Sequence, residues 1–195
     1  MNMINFNTQL IDDWPSEMLS VQRGLYYGDA LFESIRVFEG QIPLMSRHWE
    51  RLSKGLVAMD YAIPAHWSAD FFAKEILRAA CGNARVRLTI WRSPGGLYNP
   101  QDDTPQFLIT AKELASSMFD GYSEGLSIGF SEAIRLSVDS LSGLKTLNGA
   151  RYVAAAKEAC AKGWDDAIIL NCREQVCEAT SSNIFWMADH QVCTI

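Results

Sequence analysis

In ALFESIRVFEGQIPLM, residues 30 to 45, Leu31, Glu33, Ile35 and Val37 alternate with Phe32, Ser34, Arg36 and Phe38. That period of two predicts a strand, and the Glu39-Gly40 turn after it predicts a hairpin. The period then changes. Trp49, Leu52, Leu56 and Met59 recur at helical spacing across SRHWERLSKGLVAMD, with Ser46 placed as the N-cap. Arg51 falls well off that apolar stripe. A second helix, SADFFAKEILRAACG, runs from Ser68 to Gly82. Two strands follow, ARVRLTIW and QFLITAK, on either side of RSPGGLYNPQDDTP, a loop whose length and turn content often accompany function.

From Glu113 to Gly125, ELASSMFDGYSEG loses periodicity and gains small residues. We place a boundary there: an N-terminal α/β domain over 1–118, a linker over 119–124 and a C-terminal domain over 125–195. The second part reads as a strand (LSIGF), an irregular segment, a helix over about 147 to 162, a strand (DDAIILN), a turn and a strand (SNIFWMA). DHQVCTI then adds a hairpin arm. Mixed elements in this order predict an α+β (mixed α/β) class with much antiparallel pairing. With nothing after QVCTI, its ladder groups lack a partner, so the second domain is expected to be incomplete in this chain and any cofactor poorly held, unless a neighbouring chain completes the sheet.

A chain of 195 residues with 48% hydrophobic content can bury a real core as one large or two small domains. The formal net charge is −6 and no run of Lys or Arg exceeds two, which argues against nucleic acid as a main partner. The N-terminal MNMINFNTQLIDDWPSEML has no basic stretch leading into an apolar core, and no window approaches the ~18 uninterrupted apolar residues of a membrane span. The expectation is a cytoplasmic protein with no membrane partner. The five cysteines, Cys81, Cys160, Cys172, Cys177 and Cys193, form no C-x-x-C pair and have too few histidines beside them for zinc. Reduced thiols and no metal site are therefore expected.

Two stretches carry chemistry. LSGLKTLNGARYVAAAKEA, residues 141 to 159, puts Lys145 ahead of the predicted helix, between Leu144 and Leu147. VCEATSSNIFW puts Glu178 ahead of Thr180, Ser181, Ser182 and Asn183. Pyridoxal phosphate needs an amine that burial can keep neutral for a Schiff base and an acid for its ring nitrogen. It also needs donors for a dianionic phosphate, for which Arg51 offers a bidentate cation and Thr180 and its neighbours offer hydroxyls. Each residue also has a plainer reading. Lys145 can be a solvated charge before a helix, and Glu178 an acid beside a surface strand. Arg51 can cover the apolar stripe with its stem while its head stays in water. His48, three residues earlier on the same side, fits packing or support of Arg51. Arg85 and Arg87 share one face of ARVRLTIW, either as solvated cations or, like Arg92 in the loop, as holders of a substrate carboxylate.

Four motifs in order resemble the class IV aminotransferases, the fold type IV pyridoxal phosphate enzymes. RGLYYGDALFESIRVFEGQIPLMSRHWERL is similar to the family's Gly-Asp-x-x-Phe-Glu strand followed by His-x-x-Arg-Leu, whose arginine grips the cofactor phosphate, here Arg51. LKTLNGARYVAAAKEA is similar to its Lys-x-Leu-Asn segment with the Schiff-base lysine, here Lys145. DDAIILN with VCEATSSNIFW is similar to its Glu-x-x-Ser-Ser-Asn segment, whose glutamate faces the pyridine nitrogen, here Glu178. The resemblance implies a two-domain fold and pyridoxal 5'-phosphate held by Arg51, Lys145, Glu178, Thr180, Ser181 and Ser182. It implies catalysis by Lys145, a substrate met by Phe32, Arg87 and Arg92, and a homodimer with active sites near the subunit interface.

The implied reaction is amino transfer on branched-chain or D-amino acids, or pyruvate elimination from 4-amino-4-deoxychorismate. Ala150, where the branched-chain group has tyrosine, leans toward the lyase and D-amino-acid groups, and Phe32, where the D-amino-acid group tends to carry tyrosine, leans back. Members of the family continue well past the position matched by Ile195, and many have threonine where this chain has Ser34. The first of these departures motivates a second reading, a shortened relative that keeps the fold as a non-catalytic binding or dimerisation module.

Overall fold

A computed structural model of the chain describes residues 4–11, 23–80, 82–115 and 124–195. Nearly all of the expected 119–124 linker, and Cys81, lie outside those residues. The chain divides into two compact units, Met1–Phe119 with Leu144–Leu147, and Asp120–Gly143 with Asn148–Ile195.

The first unit contains β1 (Ile4–Phe6), β2 (Gln9–Ile11), α1 (Arg23–Tyr27), β3 (Ala30–Val37), α2 (Met45–Ala58), α3 (Ala69–Ala79), β4 (Ala84–Arg92) and β5 (Pro105–Glu113). The strands form one antiparallel sheet in the order β2-β1-β5-β4-β3. Its register places Leu31 opposite Ile90, Glu33 opposite Leu88 and Ile35 opposite Val86, while Ile90 and Leu88 face Phe107 and Ile109 on the next strand. All of these side chains are buried, so one face of the sheet is an apolar layer with a single acid, Glu33, set into it.

Helices α2 and α3 cover that layer with Leu52, Leu56, Phe72 and Ile76. Gly55 permits the close approach of α2, because a Cβ there would lie 2.9 Å from Leu31 Cδ1. Ser68 caps α3 as expected, its hydroxyl accepting from the Phe71 amide at 3.1 Å. Helix α2 differs from expectation. It starts at Met45 behind Leu44, so Ser46 lies inside its first turn and makes no cap. The second arm of the expected hairpin shrinks to one bridge, Phe38 to Gln41, before Pro43, which has no amide to donate, leads the chain toward the helix. Helix α3 stops at Ala79, short of Gly82.

The second unit contains β6 (Ile128–Leu136), α4 (Ala150–Lys162), β7 (Asp166–Asn171), β8 (Val176–Ala179), β9 (Phe185–Ala188) and β10 (Gln191–Thr194). Strand β7 is parallel to β6 and antiparallel to β8, and β9 with β10 makes a separate hairpin. Helix α4 packs on β6 and β7 through the fully buried Ala155 and Ala159. It ends at Gly163, whose φ of 71° suits glycine, with Gly163 and Trp164 amides closing on the carbonyls of Cys160 and Ala159.

Strand β6 runs well past the expected LSIGF. The bulge between Phe130 and Arg135 keeps it going, because Glu158 of α4 accepts from the Ser131 hydroxyl and the amides of Glu132 and Ala133. Hydrogen bonds from Ser131 and Lys162 hold the Glu158 carboxyl down, at about 2. Strand β8 stands where a turn was expected. Helix α4 begins at Ala150 because residues 144–147 serve the first unit. Among the described residues no helix is long and apolar enough to cross a membrane.

Candidate functional site

Lys145 is placed by its main chain. Its carbonyl accepts from the Phe32 amide at 2.9 Å, the Leu147 amide donates to the Ala30 carbonyl at 3.0 Å, and Leu31 bridges to Thr146. The segment thus runs beside the start of β3. The Lys145 side chain lies across Phe32, its Nζ 4.6 Å from the ring centroid, and the residue is exposed, not buried as the amine chemistry led us to expect. The reason is that the segment covers a sheet edge and its side chain meets one aromatic ring. Arg87, opposite Ser34 in the β3–β4 register, lays its guanidinium 3.8 Å from the same ring. Neither cation has a carboxylate partner among the described residues. Lys145, Phe32 and Arg87 are therefore brought together.

Arg51 sits on α2 above the buried Glu33. It donates through Nε to Glu33 Oε1 at 2.6 Å and through Nη2 to Oε2, while His48 Nδ1 lies 2.8 Å from Oε2. A carboxylate in an apolar layer needs such donors, and residues 48 and 51 share a helix face, so α2 supplies both. Burial pushes the Glu33 carboxyl up, but the hydrogen bonds and charges of Arg51 and His48 outweigh it and hold it below its ordinary value. The Arg51 side chain is still 53% exposed. Among the described residues its Nη1 group and the second Nη2 hydrogen have no acceptor and remain available to an anion.

In the second unit, Glu178 on β8 pairs with Ile169 of β7 and accepts from the Tyr152 hydroxyl at 2.6 Å. Burial, and then the bond to Glu178, push the Tyr152 phenol up, so it holds its proton. Glu178 Oε2 has no donor among the described residues. Ser181 and Ser182 are exposed in the turn after β8. Thr180 departs from expectation as a phosphate donor: its one hydroxyl proton, like its amide, goes to Asp166 Oδ1.

Arg92 also departs from expectation. It ends β4 instead of lying in the loop, and its side chain is 6% exposed. Its donors go to Asp29 at 3.1 Å, to Asp103 and to the carbonyls of Asp60 and Met59. A cation so fully engaged holds structure and has little left for a substrate. Arg23 completes the cluster, bonding Asp29 at 2.8 Å and the carbonyls of Gly95 and Leu97 at 2.9 and 2.6 Å. The loop after β4 is thereby fastened from beneath.

A family model for amino-transferase class IV matches residues 30–195. The chain belongs to the class IV aminotransferases. A probable branched-chain-amino-acid aminotransferase of Rickettsia felis is 27% identical over 177 residues, 87% of this chain and 59% of its own. An aminodeoxychorismate lyase of Vibrio harveyi is 28% identical over 177 residues, 88% of this chain and 64% of its own. The chain thus spans 59% to 64% of the length of these relatives.

Among solved structures, an aminotransferase from Brucella abortus bound to the cofactor PLP superposes with a TM-score of 0.81 at 20% identity, over 99% of this chain and 70% of that one. The 4-amino-4-deoxychorismate lyase of Pseudomonas aeruginosa gives 0.78 at 24%, over 100% and 70%. These likenesses establish the fold type IV architecture, in agreement with the mixed α and β class read from the sequence. For this class IV aminotransferase chain, sequence reasoning missed Glu33, Asp29, Arg23 and Tyr152. Glu33 had a signal: an acid at an inward position of a strand needs buried donors, and His48 and Arg51 share the face of the next helix.

Proposed function

We propose that this chain carries the pyridoxal phosphate-dependent centre of an enzyme acting on a small amino-acid-type substrate. The reaction is amino transfer or pyruvate elimination from 4-amino-4-deoxychorismate, the two activities that the names of its relatives carry. The observation that supports the reading is the grouping at Phe32, where Lys145 and Arg87 flank one ring without a carboxylate partner among the described residues. An amine beside an unpaired cation suits a substrate that offers a carboxylate close to its reacting carbon.

The donor set also fits the cofactor. Among the described residues, Arg51 has unspent N–H groups for a phosphate, Glu178 has an oxygen with no donor, and Lys145 has an amine free of ion pairs. When bound, pyridoxal phosphate supplies an electron sink for the pair left by a broken Cα bond. Lys145 would hold the cofactor through Nζ and, when that amine is free, would move the proton at the substrate Cα. Glu178 would hold a proton on the ring nitrogen, and Arg51 would orient the phosphate, aimed by Glu33 and His48. Phe32 and Arg87 would bound the substrate and hold its carboxylate. The hydroxyls of Ser181 and Ser182 add donors for the phosphate. The reading carries with it a homodimer in the cytoplasm.

The test is spectroscopic. The chain mixed with pyridoxal phosphate should gain a visible band that shifts when an amino acid is added, and borohydride should fix the cofactor to the protein. Lys145→Ala should abolish the fixed adduct and turnover. A colourless protein that takes up no cofactor would sink the reading in favour of a non-catalytic module, and an intact adduct in Lys145→Ala would move the amine elsewhere.

A further inference from the structure

Tyr152 has no part in the function proposed above, yet its hydroxyl makes the one side-chain hydrogen bond that Glu178 receives among the described residues. It occupies the first turn of α4, on the same side as Ala155 and Ala159, the residues that the helix buries against its sheet. Glu178 stands opposite Ile169 of β7, itself fully buried, so acid and phenol come from two elements, β8 and α4, that both pack against β7. The small alanines let α4 lie close enough for a tyrosine to reach β8. The bond is 2.6 Å, the length of a charge-assisted O–H···O⁻ contact.

We propose that Tyr152 is a positioning residue for Glu178. By donating to Oε1 it fixes the rotation of the carboxylate and leaves Oε2 as the oxygen that serves the ring nitrogen. This rests on the pyridoxal phosphate reading. A carboxylate with one donor already in place has fewer orientations open to it, so the second oxygen is aimed before the cofactor arrives. With Oε2 so aimed, Glu178 would be a well-placed acceptor for a ring N–H, which keeps the proton on the nitrogen. The phenol itself keeps its proton, as its upward shift requires, so it acts through Glu178 and not on the substrate.

The experiment uses the full chain loaded with pyridoxal phosphate labelled with nitrogen-15 in the ring, whose NMR shift reports ring protonation. Tyr152→Phe keeps the ring and its packing and deletes the hydroxyl. The expected result is a ring-nitrogen signal displaced toward the unprotonated position, with kcat lowered about tenfold, as the loss of one charge-assisted hydrogen bond implies, and KM little changed. The same change made in a Glu178→Gln background should have less than about a twofold further effect, because the group through which Tyr152 acts is gone. An unmoved nitrogen signal in Tyr152→Phe, or an undiminished effect in the Glu178→Gln background, would overturn the proposal and leave Tyr152 with packing alone. Failure of the unmutated chain to take up the cofactor is a different outcome. It would overturn the cofactor reading and this inference with it.

Discussion

Glu33→Gln keeps the shape of the side chain and removes the charge that Arg51 and His48 share. Glu33 is 1% exposed and accepts from Arg51 Nε at 2.6 Å, from Arg51 Nη2 and from His48 across 2.8 Å. A glutamine amide replaces one acceptor oxygen with an NH₂ group, so wherever it points a donor meets a donor. Hydrogen bonds to charged groups contribute ~1.5–3 kcal/mol, and removing one member of a buried pair costs ~3–5 kcal/mol. Arg51 is 53% exposed, so water takes over part of its charge, which sets the expected loss at ~2–3 kcal/mol. Against a folding margin of ~5–15 kcal/mol that is a measurable share.

The pH dependence of this loss has a definite sign. The folded Glu33 carboxyl lies below its unfolded value of 4.5, so its contribution is present above that value and fades as pH falls through the folded one. Urea unfolding followed by tryptophan fluorescence, at about pH 7 and again in acid, should show a gap between wild type and variant that is full at neutrality and shrinks on acidification. Equal midpoints at neutral pH, or a gap that acid leaves untouched, would refute the reasoning.

A Cβ added at Gly129 would lie 2.3 Å from the Trp164 ring, so Gly129→Ala should push that indole off β6 and destabilise the second unit by ~1–3 kcal/mol, read as a lowered urea midpoint; an unchanged midpoint would mean the ring moves at no cost. The proposed homodimer should appear in sedimentation as a concentration-dependent species of twice the mass of the chain, and a monomer at all concentrations would rule it out.

The first unit was the more legible half, because its strands bury one face and expose the other. The alternation of Leu31, Ile35 and Val37 therefore translates directly into register with Val86, Leu88 and Ile90. Ser68 was legible as a cap because its chemistry is local. Residues whose role depends on distant chain were not. Nothing near Leu144–Leu147 marks them as belonging with β3, so the predicted helix absorbed Leu147. Strand β8 is four residues long and runs into the Thr180-Ser181-Ser182 cluster, which reads as a turn. Arg87 and Arg92 look alike in sequence; one stacks openly on Phe32, the other is consumed by Asp29 and Asp103. Side-chain type alone does not separate a cation held for structure from one held for a ligand.

The strip of chain around Lys145 lies along β3, which forms one border of its five-stranded sheet. A border strand presents unpaired amides and carbonyls and is a template for unwanted pairing with other chains. Here the sealing strip is made late. At ribosomal rates of ~5–20 residues per second, the 106 residues that lie between Val37 and Leu144 take roughly 5–20 s to synthesise, and for that interval the start of β3 has no cover from this segment. The same strip that sets the lysine in register therefore also closes the nascent sheet, so any variant that loosens it should first betray itself as aggregation during expression.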